Sequence, residues 1–115
     1  MNPIANNKSA NLLLINTKVR IDIIDLNNIV FIEANRSYSK FYDTQDKITI
    51  YSKPLKYFEA QLNSNQIIRC HRSFMVNKSM IIGIDRIKRL IILTNNKQIP
   101  VSKAYYANII DSLDT

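Results

Sequence analysis

The stretch Arg69-Cys-His-Arg-Ser-Phe-Met-Val-Asn77 holds the only histidine and the only cysteine of the 115-residue chain. Its two arginines lie three positions apart, and Ser73 and Asn77 add short side chains that donate and accept hydrogen bonds. The apolar residues 74–76 can anchor the segment in a core. Cationic and small polar groups on an apolar anchor are what phosphate and base-edge recognition requires. The same residues also fit a buried turn with one satisfied histidine and solvated arginines, so the rest of the chain must decide.

The distribution of charge favours an anionic partner. The formal net charge is +7, and residues 67–101 carry seven Lys/Arg against the single acid Asp85, a net charge of +6. Residues 1–66 are close to balanced, with eight basic and six acidic side chains. A localised basic excess is the electrostatic footprint of nucleic-acid binding.

Composition excludes several other classes of site. Gly83 is the only glycine, whereas a P-loop or a dinucleotide-binding fingerprint needs several where backbone meets phosphate. One Cys and one His cannot build a structural zinc site, and a single Cys forms no internal disulfide, which fits a reducing cytoplasm. No apolar run reaches membrane-spanning length and no signal-peptide pattern opens the chain. We therefore expect an intracellular, cytoplasmic domain with no cofactor, no metal and no membrane partner.

The sequence also argues against catalysis. Its nine acidic residues are scattered over turns and over alternating strand positions, not gathered as a general acid–base pair. Cys70 and His71 are adjacent, but neighbours in a strand point to opposite faces and cannot easily share a proton. Cys70 is interpreted as a small buried hydrophobe. We expect no enzyme.

The hydrophobic pattern predicts a mostly β fold. Residues 1–11 are read as a flexible N-terminal tail, and residues 12–115 as one domain. Apolar and β-branched runs predict strands over residues 12–15, 19–24, 29–34, 38–42, 47–51, 67–70, 80–86, 89–94 and 97–101. In residues 19–24, the face with Val19, Ile21 and Ile23 is predicted to be buried.

Two segments change to a helical period. Leu55, Phe58 and Leu62 recur at three and four within residues 53–62, which predicts one amphipathic helix covering an open sheet face. A second helix is predicted for residues 102–113, with the side chain of Ser102 as its N-cap.

Taken together, four blocks of this sequence resemble the LytTR DNA-binding domain family. They are Phe31-Ile-Glu-Ala34, then Tyr38, then the stretch from Arg69 to Asn77 with its specific His-Arg-Ser-aromatic-x-Val-Asn core, and Ile99-Pro-Val-Ser-Lys103. The match covers about residues 19–113. The resemblance implies an elongated arrangement of small antiparallel β-sheets with one or two short helices. It also implies binding of bacterial promoter DNA through loops.

The resemblance further implies a biological setting and a set of partners. Such domains are usually the output half of a two-component response regulator, beside a receiver domain and downstream of a sensor kinase; the alternative is a stand-alone LytTR protein. The expected partners are double-stranded DNA and, on repeated sites, a second copy of the chain as a homodimer.

Carried over by position, the resemblance implies three DNA-facing segments. Residues 36–40 would enter one major groove with Ser39 near bases, and Ser102 with Lys103 would reach the next groove. The central segment would contribute His71, Arg72, Ser73, Asn77 and Lys78. The full set of implied DNA-binding residues is Arg36, Ser37, Ser39, Lys40, Arg69, His71, Arg72, Ser73, Asn77, Lys78, Ser102 and Lys103.

The chemistry of two cations in the central block predicts different contacts. Arg72 carries a planar fork that can span O6 and N7 of one guanine, whereas Lys78 carries a point charge that suits a phosphate. The sequence departs from the family pattern at Lys103, where arginine is common, and at residues 35–37, which lack the usual acidic or glycine-bearing loop.

Two readings from other classes stay open on sequence alone. An RNA-binding small β-module would stack bases on exposed aromatics, and Tyr38, Tyr42 and Tyr51 could supply them, although alternating tyrosines also pack at core rims. A protein-interaction domain would turn its basic face toward an acidic receiver or sensor.

Overall fold

The computed structural model describes residues 11–62 and 66–113. Of the predicted tail, residues 1–10 lie outside the described residues. The described residues form ten strands and two helices, in the order β1 (Leu12–Asn16), β2 (Ile21–Asp25), β3 (Ile29–Asn35), β4 (Tyr38–Asp43), β5 (Ile48–Tyr51), α1 (Leu55–Gln61), β6 (Ile67–His71), β7 (Phe74–Asn77), β8 (Ile81–Asp85), β9 (Leu90–Leu93), β10 (Gln98–Pro100) and α2 (Lys103–Leu113). Short 3-10 turns, Leu26–Asn28 and Lys78–Met80, precede β3 and β8. The mostly β prediction with two short helices is confirmed.

The strands form three antiparallel sheets. The largest has the order β5-β4-β3-β7-β6, and it is flanked by the hairpin β1-β2 and by the three-stranded sheet β10-β9-β8. The body is elongated, with extents of 48 × 31 × 25 Å. Within the part of the chain described, no helix is long and apolar enough to cross a membrane.

Strand β7 is the main element that the sequence pattern did not predict. It lies between β3 and β6, with Ile32 opposite Met75 and Ile68 opposite Val76. Met75 and Val76 point to opposite faces of the sheet, and both are buried. A strand covered on both faces lacks the polar–apolar alternation that reveals a half-buried strand.

Two hydrophobic layers cover the two faces of the five-stranded sheet. On one face, Leu13 and Ile15 of β1 and Phe58 of α1 pack against the sheet, where the rings of Phe58 and Phe41 meet edge to face at 4.8 Å. On the other face, the three-stranded sheet and α2 cover residues from β3, β6 and β7. The loops between strands are therefore held at the two ends of a sheet that is packed on both sides.

Strand β2 differs from expectation in the face it buries. Val19, Ile21 and Ile23 are 86%, 59% and 42% exposed, so the prediction that they form a buried face is wrong. The opposite face of β2 turns inward, where Ile24 packs on the core and Asp22 accepts a hydrogen bond from the hydroxyl of Tyr51 at 2.6 Å. Alternation predicted a two-faced strand but could not tell which face meets the larger sheet.

Candidate nucleic-acid interface

Two turns of the five-stranded sheet meet at one end of the molecule. The antiparallel pairing of β3 with β7 brings the end of β3 beside the start of β7, and the backbone N–H of Ala34 donates to the carbonyl of Ser73 at 2.8 Å. The two-residue turn 36–37 between β3 and β4 therefore lies beside the turn 72–73 between β6 and β7.

Two further backbone hydrogen bonds add elements of the other layer to the same end. The N–H of Ser102 donates to the carbonyl of Cys70 at 3.0 Å, which fixes the start of α2 against the end of β6. The N–H of Val101 donates to the carbonyl of Arg89 at 2.9 Å, which fixes the turn 86–89 between β8 and β9 beside that helix. We call this surface, made of residues 36–37, 72–73, 86–89 and the first residue of α2, the basic end.

The basic end is rich in exposed cations. Neither of the two ion pairs found among the described residues, Arg20–Asp22 and Arg69–Glu59, uses any of them. The exposed cations are Arg36, Arg72, Arg86, Lys88, Arg89 and Lys103. Exposed positive charges at one end, none of them in an ion pair within residues 11–62 and 66–113, are suited to the regularly spaced phosphates of a nucleic acid.

Two of these arginines occupy backbone conformations that arginine rarely adopts. Arg36 has φ of 60° and Arg89 has φ of 52°, in the left-handed region that glycine, asparagine and aspartate adopt more easily. Holding another residue there costs free energy, and such positions cluster at functional sites. The arginine side chain is therefore present at both turns despite the backbone, which favours a role for its charge.

The opposite end of the sheet, which we call the far end, is built differently. It contains the turns at residues 44–47 and 94–97, which line one shallow cavity together. Their left-handed positions hold Asp46 and Asn96, which tolerate this conformation well. Lys78 also lies toward this end, because it follows β7 whereas Arg72 precedes it. Four strand residues place about 13 Å between the two positions, so the structure separates two cations that the sequence put in one block.

The turn 72–73 is held by Arg69. The Arg69 guanidinium donates to the carbonyl of His71 at 2.8 Å and to the carbonyl of Arg72. It also pairs with the carboxylate of Glu59 on α1 at 2.6 Å, and its side chain is only 14% exposed. The expectation that Arg69 faces DNA is corrected: its donors already bind within the protein, and it positions the turn that presents His71 and Arg72.

His71 is half-buried beside this turn. Its Nδ1 accepts a hydrogen bond from the backbone N–H of Ser73 at 3.1 Å, and its ring meets the ring of Phe74 at 5.7 Å. Burial, together with the positive charges of Arg72 and Arg69, lowers the pKa of His71 below its ordinary value. Both effects favour the neutral form of the imidazole.

Two residues expected at the DNA surface are fully buried, and this corrects the expectation for both. The hydroxyl of Ser39 donates to the carbonyl of Lys53 at 2.7 Å, because Ser39 points to the face of β4 that α1 and β1 cover. The amide of Asn77 donates to the carbonyls of Leu26 and Ile29, at 3.1 and 2.8 Å. Both side chains join parts of the fold and have no solvent-accessible surface for a nucleic acid.

Ser102 is corrected in a different way. Its hydroxyl is enclosed and has no hydrogen-bond partner among the described residues, so it neither caps α2 nor reaches the surface. The first turn of the helix is closed instead by the backbone, where the N–H of Tyr105 donates to the carbonyl of Ser102 at 3.0 Å. Of the predicted pair at the start of α2, Lys103 alone is exposed.

The remaining predicted residues lie at or next to the basic end. Arg36 and Ser37 are exposed in the first turn, and Ser73 is half-buried in the second. Lys40 is half-buried on β4, opposite Glu33 of β3 and one pleat away from the turn. Lys40 is therefore less exposed to a phosphate than Arg36 is.

The three tyrosines do not form a common stacking platform. Tyr42 stacks on Phe31 at 4.1 Å and donates to Glu33, and burial with this carboxylate raises the pKa of Tyr42 to about 12. Tyr51 is buried on the opposite face of the sheet, and burial and its bond to Asp22 raise its pKa. Only Tyr38 is substantially exposed, at 47%. An RNA-binding surface of stacked bases is therefore not supported by the geometry.

Cys70 lies in the core, as the sequence predicted. It is 0% exposed, and its Sγ lies 3.6 Å from the carbonyl oxygen of Phe74 and 3.8 Å from that of Pro100. Burial raises the pKa of the thiol to about 12. A thiol that stays protonated and enclosed is a poor nucleophile.

Residues 86–89 were missing from the predicted site. Arg86, Lys88 and Arg89 were assigned to the ends of two strands and to their connection, whereas the structure puts all three in one exposed turn. Asp85 fixes this turn by accepting the backbone N–H groups of Ile87 and Lys88 at 3.0 and 2.9 Å. An aspartate followed by three basic residues in four positions is the signal that could have identified the turn.

Comparison with known proteins agrees with the resemblance seen in the sequence. The model of the LytTr DNA-binding domain matches residues 19–114, which is most of the chain. The chain belongs to the LytTR family of DNA-binding domains. Its fold and its place in this family are thus both confirmed.

Two similar proteins, one matched by sequence and one by structure, have related names. The sensory transduction protein LytR of Staphylococcus saprophyticus subsp. saprophyticus is 29% identical over 101 residues, which is 85% of this chain and 39% of that protein. The chain therefore spans about two fifths of this relative's length. A solved LytTr DNA-binding domain from a Bacillus cereus protein described as a methyl-accepting/DNA response regulator superposes with a TM-score of 0.73 at 24% identity, and it covers 91% of this chain and 98% of that one.

Proposed function

We propose that this LytTR domain binds specific sequences of bacterial promoter DNA through its basic end and thereby regulates transcription in the cytoplasm. We further propose that it acts as the output domain of a two-component response regulator or as a stand-alone LytTR regulator. Membership of a DNA-binding family and similarity to a sensory transduction protein support this assignment.

The convergence of four chain segments at one end carries the proposal. The turns 36–37, 72–73 and 86–89 and the start of α2 come from distant parts of the sequence, and three backbone hydrogen bonds join them. Each contributes at least one exposed cation. A rigid row of turns with positive charge can follow a duplex backbone while individual side chains reach base edges.

The individual roles follow from side-chain chemistry. Arg72 is proposed to read a guanine, and Arg36, Arg86, Lys88, Arg89 and Lys103 to bind phosphates. Ser37, His71 and Ser73 lie between these cations and are proposed as short-range hydrogen-bonding contacts. A receiver domain and a second copy of the chain on repeated DNA sites remain proposed partners.

The direct test is selection from a library of random duplexes, followed by titration of the enriched duplex at several salt concentrations. Five phosphate contacts predict that log K falls with log salt with a slope of about −4.5. Scrambled duplex and single-stranded RNA serve as competitors, because an RNA-binding module would prefer the latter. Selection that enriches no sequence, or a flat salt dependence, would overturn the proposal.

A further inference from the structure

We propose that His71 contacts DNA as a neutral imidazole, and that its Nε2–H donates a hydrogen bond to an acceptor on the duplex. Guanine N7 or O6, adenine N7, thymine O4 and a phosphate oxygen are all acceptors of this kind. This inference rests on the proposed function and adds the protonation state in which the residue works.

The hydrogen bond within the turn fixes the tautomer. The backbone N–H of Ser73 donates to Nδ1 of His71 at 3.1 Å. A ring nitrogen that accepts a hydrogen bond carries no proton, so the single proton of the neutral ring lies on Nε2. Nε2 has no hydrogen-bond partner within residues 11–62 and 66–113 and is not enclosed. The ring therefore presents one donor outward.

The surroundings hold the ring in place. The rings of His71 and Phe74 meet edge to face, with the ring centroids 5.7 Å apart and the planes at 62°. Arg69 donates to the carbonyls of His71 and Arg72, so the backbone on both sides of the ring is also fixed. A donor whose direction is fixed before binding loses little freedom when it contacts DNA.

The charged groups around His71 oppose its protonation. Arg69 on the same strand and Arg72 in the turn are both cationic, and α2, which packs against β6, begins at Lys103. Like charges disfavour the imidazolium form, and partial burial acts in the same direction.

The acids of the neighbouring elements are engaged elsewhere. Glu59 of α1 pairs with Arg69 at 2.6 Å. Glu33 of β3 lies beyond Phe74 in the same row across the sheet, and its carboxylate accepts from the hydroxyl of Tyr42 at 2.8 Å. Neither carboxylate is placed to stabilise a positive charge on His71.

Protonation would disrupt this arrangement. A proton on Nδ1 would face the N–H of Ser73, so that two donors point at each other and the turn must rearrange. We therefore expect mild acid to weaken DNA binding. A histidine that met a phosphate as an imidazolium would behave in the opposite way, because acid would add a favourable charge.

The experiment measures affinity of the 115-residue chain for its selected duplex between pH 4.5 and 8 at constant ionic strength. Binding needs the neutral ring, and about one tenth of the rings are neutral one pH unit below the pKa of the free protein. The apparent Kd should therefore rise about tenfold at that pH. His71→Gln supplies a non-titrating amide near the position of Nε2, and its pH profile should be flat. Its profile corrects for every other titrating group.

A second variant removes the Nε2–H donor but keeps the hydrogen bond that stabilises the turn 72–73. His71→Asn keeps an acceptor for the N–H of Ser73 but is too short to place a donor where Nε2 lies. It should fold normally and bind the selected duplex weakly at every pH. Nitrogen-15 spectra of the imidazole in the free wild-type chain should show the proton on Nε2.

The outcomes separate this inference from the proposed function. Wild-type affinity that rises in acid relative to His71→Gln, wild-type affinity in His71→Asn, or a proton on Nδ1 would overturn the neutral-donor role while DNA binding stands. If no duplex binds at any pH, the proposed function fails and the inference fails with it.

Discussion

The two ends of the five-stranded sheet place different types of residue in the same left-handed backbone conformation. Each end contains two turns in which one residue other than glycine adopts a positive φ. At the far end these residues are Asp46 and Asn96, which tolerate that conformation well. At the basic end they are Arg36 and Arg89, which do not. The difference indicates that the far end was shaped by the requirements of the turns, whereas the basic end retains charge at a conformational cost.

Hydrogen bonding shows the same difference. At the far end, side chains stabilise their own turns: the carboxylate of Asp43 accepts the N–H groups of Gln45 and Lys47, and Asn95 accepts the N–H of Lys97. At the basic end Asp85 has this role, whereas the cationic side chains point outward. A polar side chain near a turn is thus evidence for function only when it makes no hydrogen bond to the backbone of that turn.

The largest effect should come from a residue next to the far end. Asn77→Ala removes the donor that binds the carbonyls of Leu26 and Ile29 in a buried site. It also removes the acceptor for the backbone N–H of Ser79, which lies nearer the surface. Unsatisfied buried groups cost about 1–3 kcal/mol each, so we expect the free energy of unfolding to fall by about 2–4 kcal/mol. Urea denaturation of the variant and wild type measures this loss.

DNA binding by the folded fraction of this variant should stay near the wild-type level. Asn95→Ala, which removes an exposed turn contact, is the matched control and should cost less than about 1 kcal/mol. Unchanged stability of Asn77→Ala together with lost DNA affinity would restore Asn77 to the interface and contradict the burial argument.

The next largest effect is expected when the two arginines with positive φ lose their charge. In the double variant Arg36→Asn/Arg89→Asn, asparagine suits the backbone of both turns, so folding should be unharmed while two charges are lost. The salt slope should become shallower by about 1.8, and affinity should fall on the order of fiftyfold at about 0.1 M salt.

Lys47→Ala/Lys97→Ala is the control for this change, because it removes the same net charge from exposed positions at the far end. It should leave the salt slope unchanged. Equal losses in both double variants would mean that net charge alone drives binding and that the two ends do not differ in function.

These comparisons also show what the sequence could predict. The strands with alternation, both helices and the burial of Cys70 followed from period and residue type. The central strand β7 did not, because Met75 and Val76 are buried on opposite faces and no alternation marks them. The exposed face of Ile21 and Ile23 was also missed, since alternation is symmetric and only tertiary packing chooses the inner face.

The candidate site was predicted in part for a related reason. Exposed cations such as Arg36, Arg72 and Lys103 follow from composition and resemblance. The sequence could not show that Asn77 has a different role from these cations. A short polar residue at a strand end can contact a ligand or form hydrogen bonds within the fold. Asp25 and Asn77 occupy equivalent positions, each directly before a 3-10 turn. Asp25 accepts the N–H of Asn27, and Asn77 accepts the N–H of Ser79. This shared position in the sequence could have indicated that Asn77 stabilises a turn.

The smallest predicted effect compares Arg72 with Lys78, one cation on each side of β7. Arg72 is exposed in the turn 72–73 and can form a bidentate contact with one guanine. We expect Arg72→Ala to cost about 1–3 kcal/mol on the selected duplex and much less on scrambled DNA. Lys78 was expected from sequence to bind a phosphate, but it is half-buried and lies about 13 Å along the strand from that turn.

Paired titrations of both variants on selected and scrambled duplexes at two salt concentrations decide the matter. Lys78→Ala should change neither the affinity nor the salt slope, because we propose that the duplex contacts the basic end and not the far end. A slope that becomes shallower by about 0.9 in this variant would mean that Lys78 neutralises a phosphate, and the interface would then extend past the basic end. Equal losses on both duplexes for Arg72→Ala would instead make Arg72 a phosphate contact, and specificity would have to come from the turn 36–37 or from the start of α2.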